Sequence, residues 1–407
     1  MSFNNLHQMF SAPRLGFKFK IYPSQSDFEE FNNIKKIVRN FLKDKIKNYL
    51  ENQKILNISP KFRVQGSWAY GTCTLPAKPF QEMDIDYGVY LPVRAFESFN
   101  SQNDNTQAKN YFTQVEQFLK DLCKYKNWEL DSSKSTCIRL KIKKNAHIDI
   151  PLYAVPDEMF DNLKEKDKLE LATDSEVFDE ALHRKYLAKS DWYTDDYTIS
   201  LASLDLAEET IADKNIQTIH MAKRDGSWQS SDCEIIREWF SNILKDLPDS
   251  GKQLRNICRY LKAWRDWVFD CTGSPSSILL MVVACKYYTY HKSRDDIALL
   301  SILEQLPEAL AKNVTAPDIK EHEGHDFNRM DVNQRKLAKI LASDLYKNFV
   351  RNLNISDKSQ IIKSMNKFWG ERMPVDEDLI ILDQNCEFNN PPLVQNSITY
   401  QVPLRQG

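Results

Sequence analysis

The sequence predicts an α+β first half followed by an all-helical second half, and three observations carry this reading. Up to about residue 160, runs with a two-residue alternation are interspersed with segments of helical period. Beyond about residue 200 the strand signals stop and the helical period continues alone. From residue 384 on, neither period holds. The chain of 407 residues is 42% hydrophobic, enough apolar side chain for two or three domains.

The elements follow in order. "SDFEEFNNIKKIVRNFLKDKIKNYL" spaces Phe28, Phe31, Ile34, Val38, Phe41, Leu42 and Ile46 by three and four, which predicts an amphipathic helix. Ser26 with Glu29 predicts a capping box at its start. "KFRVQ" reads as a short strand ending at Gly66-Ser67, and "EMDIDYGVYLPV" as another. "NYFTQVEQFLKDLCKY" is a helix, and "TCIRLKIKKNAHIDIPLYAVP" two strands around a turn near Lys144-Asn145. Later, "DCEIIREWFSNILKDL", "GKQLRNICRYLKAWRDWVFD" and "SSILLMVVACKYYTYH" are helical, with further helices to about Phe368. The expected organisation is a mixed unit over 1–213, a helical unit over 214–383, and an extended tail over 384–407.

Charge gives little away globally. Fifty-five basic residues against 57 acidic ones leave a net charge of −2, so no overall field draws the chain to nucleic acid or membrane. Any anion must be held by a local cluster. The N-terminus lacks an apolar signal core, and no stretch approaches eighteen apolar residues, so a cytoplasmic protein without a membrane partner is expected. The 8 cysteines show neither a CxxC pair nor zinc spacing and read as buried free thiols.

The chemistry concentrates on the strands. Successive strand side chains face opposite ways, so Asp84 and Asp86 share a face while Ile85 enters the core. Asp149 in "HIDIP" follows the same rule between Ile148 and Ile150. Three carboxylates on the exposed face of adjacent strands repel unless a cation sits among them, and oxygen-only donors select Mg²⁺ or Mn²⁺. Gly66-Ser67 supplies a tight turn whose amides and hydroxyl suit phosphate oxygens. A lone Asp-x-Asp or Gly-Ser occurs often by chance; both in this order with a third strand aspartate do not. Together they are the equipment of two-metal nucleotidyl transfer.

The set "QGSWAYGT", "EMDIDYGVYLP" and "HIDIPLYAVP", followed by "MAKRDGSWQSSDC", "LRNICRYLKAWRDWVF" and "GSPSSILLMVVA", resembles the DncV-like cyclic-oligonucleotide synthases. These are the bacterial cGAS/DncV-like nucleotidyltransferases of anti-phage defence. The resemblance spans roughly residues 20–380 and implies a polymerase-β-like nucleotidyltransferase core followed by a C-terminal helical domain, with the nucleotide cleft between. It further implies that ATP, and GTP beside it, are joined into a cyclic di- or trinucleotide with release of pyrophosphate, for a cyclic-nucleotide-responsive effector.

Roles implied by the resemblance fall on matching residues. Asp84 and Asp86 hold both metals, and Asp149 holds the one that acidifies the attacking ribose hydroxyl. Gln65, Gly66 and Ser67 meet the donor triphosphate, and Tyr70 lines its pocket. Ser231 and Asp232 stand at a helix start by the nucleotide, where Ser231 is equally an N-cap. Lys262, on a helix with Arg255, Arg259 and Arg265, reaches donor phosphates; without the resemblance it is a solvated basic face. Ser276 is placed by the nucleotide and is also a cap candidate, while Arg139 and Asp326 are candidates for the acceptor pocket. His147 shares the face of Asp149 and so could touch the metal site, although a lone strand histidine is more often only a hydrogen-bonded neighbour of such a site. Cys233 departs from the proline frequent in the family, a change expected to affect only the turn.

A template-free RNA or tRNA nucleotidyltransferase shares the Gly-Ser turn and the three aspartates, but it usually shows a basic surface for its polyanion, which a net charge of −2 disfavours. The tail places Leu393, Val394, Ile398, Tyr400, Val402 and Leu404 in an extended, half-apolar pattern suited to a partner's groove. An unhindered Gly407 carboxylate suits adenylation, and the resemblance implies an E1/E2-like ligase that conjugates the chain through Gly407.

Overall fold

The computed structural model describes residues 3–96, 105–143, 145–163, 218–247, 251–269, 273–316 and 325–383. The expected junction at Asp213, the tail over 384–407 and Gly407 lie outside the described residues.

Two short helices, α1 (His7–Ser11) and α2 (Phe17–Ile21), precede the long α3 (Gln25–Asn52). The three-four spacing of α3 buries Phe31, Ile34, Val38, Leu42, Ile46 and Leu50 along one stripe. Its capping box forms two residues before the expected one. Ser24 N–H donates to the Asp27 carboxylate at 2.8 Å, and Asp27 N–H donates back to Ser24 Oγ at 3.3 Å. The backbone turns helical at Gln25, so Ser26 lies inside the first turn and meets only the Ser24 hydroxyl, 2.8 Å away.

The mixed sheet is built from β1 (Lys61–Gln65), β2 (Met83–Pro92), β3 (Glu129–Asp131), β4 (Ile138–Lys143), β5 (Ala146–Ile150) and β6 (Leu152–Val155). A one-turn helix α4 (Gly66–Ala69) follows β1, and α5 (Asn105–Lys126) follows β2. β1 runs antiparallel to β2, while β5 and β6 lie parallel to its first and second halves. Pro151, which has no N–H for a ladder, separates the two. Ile85, Tyr87, Val89, Ile148 and Ile150 form one core with α3 and α5.

Strands do not stop at residue 200. β7 (Ile219–Ala222) and β8 (Trp228–Ser231) continue the sheet antiparallel beyond β6. Each has four residues, too few to display a period of two, and only the pairing of β7 with β6 and of β8 with β7 reveals them.

The second half comprises α6 (Cys233–Lys245), α7 (Gly251–Val268), α8 (Ser277–Tyr287), α9 (Asp295–Leu303), α10 (Leu306–Ala311), α11 (Val332–Asn352) and α12 (Lys358–Trp369). Its core includes Trp264, Tyr260, Phe349 and Trp369. The core also takes in Leu6, Met9, Phe10, Phe17 and Ile21, so α1 and α2 pack with the helical unit rather than with the sheet. Phe10 lies 4.8 Å from Tyr260, ring to ring, and Asn5 bridges to Ile381. Among the described residues no helix is long and apolar enough to cross a membrane.

Candidate active site

The site begins at the end of β1. Gly66 adopts φ +60°, and a Cβ there would lie 2.0 Å from Asp86 Oδ2. The left-handed backbone favours glycine, and any larger residue would also have to displace the Asp86 carboxylate. The ladders then set Asp84 beside His147 and Asp86 beside Asp149 on neighbouring parallel strands. The three aspartates share one face of the sheet, as alternation predicts, with the flanking isoleucines in the core.

Their environments differ. Asp84 is 50% exposed. Asp149 is buried, and Arg139 Nε and Nη2 donate to its two carboxylate oxygens, both at 2.7 Å. The expectation of three solvent-facing carboxylates therefore fails for Asp149, which is matched by a bidentate guanidinium. That pairing is also where the acceptor candidate Arg139 stands. His147 is buried with Nδ1 2.6 Å from Glu82 Oε2 and Nε2 3.0 Å from Asp84 Oδ1.

The unmatched charge falls on Asp86. Burial, then the charges of Asp84 and Asp149, push its carboxyl up to about 7. Burial disfavours ionised Asp84 too, but His147, Arg139 and Lys262 hold it below the usual carboxylate range. Burial pulls His147 down, and Asp84 more than offsets this, so its imidazole is raised overall. Asp84, His147 and Asp149 each offer a ligand atom within 4.8 Å of the others. With Asp86 alongside, this donor set fits a divalent cation, which would relieve the repulsion recorded at Asp86.

A cleft of about 540 Å³ opens in front of these carboxylates. Gly66, Ser67, Tyr70, Asp84 and Asp86 line it from the sheet side, and Lys262, Arg265, Ser276 and Met281 from α7 and α8. Lys262 is not on a solvated face. It is buried, donates from Nζ to the Thr72 carbonyl at 2.9 Å, and has its pKa lowered by that burial. Ser276 caps α8 by accepting from Leu279 N–H at 3.1 Å and lines the cleft as well, so both of its sequence readings coexist.

Other candidates sit elsewhere. Gln65 turns behind the cleft, where its amide meets the Tyr90 hydroxyl and accepts from the Tyr153 hydroxyl at 3.0 Å. Cys233 joins this buried network, its Sγ 3.2 Å from Gln65 Nε2, so the substitution touches more than the turn. Ser231 ends β8 and does not cap α6; the cap position is Asp232, without a side-chain capping bond. Asp326 accepts from Val314 N–H at 2.8 Å and pairs with Arg335 Nη2 at 2.6 Å, neither of them a cleft residue.

Two contributions escaped the sequence. Gln81 lines the cleft and donates to the Asp266 carbonyl at 2.7 Å, joining the β2 approach to α7. Nothing local marks a partner 185 residues away. Glu82 was legible in principle, since stepping back by two from Asp84 reaches it on the same face.

Two family models match the chain: the nucleotidyltransferase domain described as cyclic GMP-AMP synthase DncV-like, over residues 60–153, and the C-terminal domain of cyclic GMP-AMP synthase, over 251–383. A cyclic GMP-AMP synthase of Vibrio cholerae is 30% identical over 345 residues, covering 81% of this chain and 71% of the relative. One from Escherichia coli strain TW11681 is 29% identical over 333 residues, covering 78% and 69%. The crystal structure of Vibrio cholerae DncV with the linear intermediate 5′ pppA(3′,5′)pG superposes with a TM-score of 0.70 at 22% identity, covering 94% of this chain and 100% of that one. At that identity the likeness establishes the fold, a polymerase-β-like core with a C-terminal helical domain.

Proposed function

The chain belongs to the DncV-like nucleotidyltransferases, and from that premise we propose that it joins ATP and GTP into a cyclic dinucleotide. One observation carries the reading. Gly66, Ser67, Asp84, Asp86, Lys262 and Ser276 converge on a single cleft between the sheet and the helices, with Asp149 beside Asp86. A triphosphate finds there the Ser67 hydroxyl at a tight turn on one side and the buried Lys262 ammonium on the other.

Each bond forms by attack of a ribose hydroxyl of the acceptor on the α-phosphorus of the donor. The bond from that phosphorus to the bridging oxygen breaks, and pyrophosphate leaves with its electron pair. Asp149, oriented by Arg139 and set beside Asp86, is the carboxylate this reading assigns to take the hydroxyl proton. Ser67 and Lys262 grip the donor phosphates and hold its α-phosphorus in line. Asp84, Asp86 and Asp149 are the residues to hold Mg²⁺ or Mn²⁺, whose chemistry there is charge neutralisation and acidification of the attacking hydroxyl. A second round on the linear product closes the ring. A linear intermediate of that kind is bound in the Vibrio cholerae structure. The anti-phage role, the responding effector and the ligase expected at Gly407 rest on the family resemblance.

The test is to incubate the protein with ATP, GTP or both, Mg²⁺ and no nucleic acid, and to separate the products with mass detection. A phosphatase-resistant species of two linked nucleotides is expected only when both substrates are present. Polymer growth on added RNA, with no small product, would overturn the proposal in favour of an RNA nucleotidyltransferase.

A further inference from the structure

We propose that His147 is itself a metal ligand, a nitrogen donor that biases the site toward Mn²⁺ or Co²⁺ over Mg²⁺. This rests on the metal-dependent reading above but adds a residue and a selectivity to it.

Three observations carry the inference. First, His147 is only 5% exposed, and its Nε2 is a buried polar atom without a hydrogen bond. It lies 3.0 Å from Asp84 Oδ1, yet without the alignment of a hydrogen bond. A buried nitrogen left in this state costs free energy unless something else meets it. Two donors about 2.1 Å from one cation and at right angles lie about 3.0 Å apart. The separation is thus that of neighbouring ligands.

Second, the far side of the ring is fixed. Nδ1 lies 2.6 Å from Glu82 Oε2, which accepts from the ring there and turns Nε2 toward Asp84 and Asp149, where a bound cation would take the place of its proton. A carboxylate behind a histidine is the arrangement that orients imidazole ligands and raises their basicity. Third, the backbone holds the set rigidly. His147 and Asp149 are two apart on β5, and Asp84 is the ladder partner of His147. Ligand atoms of the three lie within 4.8 Å of one another.

Imidazole contributes little to Mg²⁺, which prefers oxygen, and increasingly more along the series from Mn²⁺ to Co²⁺. Asp149 is shared with Arg139, which leaves His147 and Asp84 as the stronger pair of donors.

The experiment uses the full chain stripped of metal and titrated with Mn²⁺ or Co²⁺ without nucleotide. Pulsed electron paramagnetic resonance on the Mn²⁺ form should show coupling to an imidazole nitrogen, absent in His147→Asn. Co²⁺ affinity should fall about 10- to 100-fold in Glu82→Gln, which keeps the imidazole but removes the group that orients it. Should His147→Asn misfold, Glu82→Gln still decides by that affinity. Mn²⁺ bound without nitrogen coupling, and with Glu82→Gln unchanged, would overturn the inference while leaving an all-carboxylate site intact. Failure to bind either metal would overturn the inference, whereas the metal-dependent reading itself falls only if nucleotide turnover persists in the metal-stripped protein.

Discussion

Two pairs of neighbouring aspartates, Asp84 with Asp86 and Asp295 with Asp296, lie beside the core and behave in opposite ways. Asp295 and Asp296 are the more deeply buried, at 4% and 0% exposure. Yet every carboxylate there is met. Asp295 accepts from Ser11 Oγ at 2.8 Å, the Tyr260 hydroxyl at 2.9 Å and Gln253 Nε2 at 3.0 Å. Asp296 accepts from Leu6 N–H at 2.8 Å and from the Arg294 guanidinium. These bonds fasten the first residues of the chain to α9. Asp84 and Asp86 are more exposed, but among the described residues no hydrogen bond to the Asp86 carboxylate is found, and its pKa rises. What separates the two pairs is the unmatched charge at Asp86, not depth.

The comparison breaks most visibly on double substitution. Asp84→Ala with Asp86→Ala should reduce nucleotidyl transfer below detection, and Asp86→Ala alone should leave Tm in metal-free buffer equal or higher, because the repulsion at Asp86 is removed. A clear fall in Tm, measured by calorimetry, would make this pair structural like the other. Asp296→Ala should do the reverse. It leaves Arg294 and Leu6 N–H without their acceptor, so the stability loss should be about 3–5 kcal/mol in denaturant unfolding, with turnover per folded molecule retained.

A smaller effect sharpens the phosphate side of the cleft. Ser67→Ala removes one hydrogen bond to a charged group, worth about 1.5–3 kcal/mol, so kcat/KM for the nucleotides should fall roughly ten- to hundredfold. An unchanged value would reduce Ser67 to a turn former.

The smallest effect is in pH. The folded-state pKa of Asp86 stands at about 7, above the ordinary 3.8, so the folded chain binds this proton more tightly than the unfolded one. In metal-free buffer its contribution to stability is present at low pH and is lost as pH rises from about 4 through 7. Asp86→Asn should therefore raise Tm relative to the parent at pH 8 by a few degrees, at about 2–4 °C per kcal/mol, and not at pH 4. Adding Mg²⁺ at pH 8 should raise Tm of the parent and not of the variant. Equal melting curves across the range would remove the repulsion argument.

Most of the catalytic face was legible because its signals are local. Alternation alone places Asp84, Asp86 and Asp149 on one face, and the Gly66-Ser67 turn sits at the strand end where it was expected. The helices of the second half were legible for the same reason, their period being written within each segment. The capping box shifted by two residues because Ser24 and Ser26 are equally good caps and only the backbone's entry point chooses. β7 and β8 were missed because four residues carry too little period. Lys262 was visible as a basic residue, but its burial under Thr72 was not, since helix periodicity says nothing of a loop 190 residues away.

By itself, then, the sequence determined which side chains share a face, where the tight Gly66-Ser67 turn stands, and which longer segments are helical, because these follow from backbone geometry within a few residues. The tertiary structure alone decided which charges are matched. Arg139 reaches Asp149 and His147 approaches Asp84 across strand ladders, while Ser11 and Tyr260 meet Asp295 only because the fold brings α1 and α7 to the start of α9. Electrostatic fate depends on distances of a few ångströms and on local burial, and residue order along the chain contains neither.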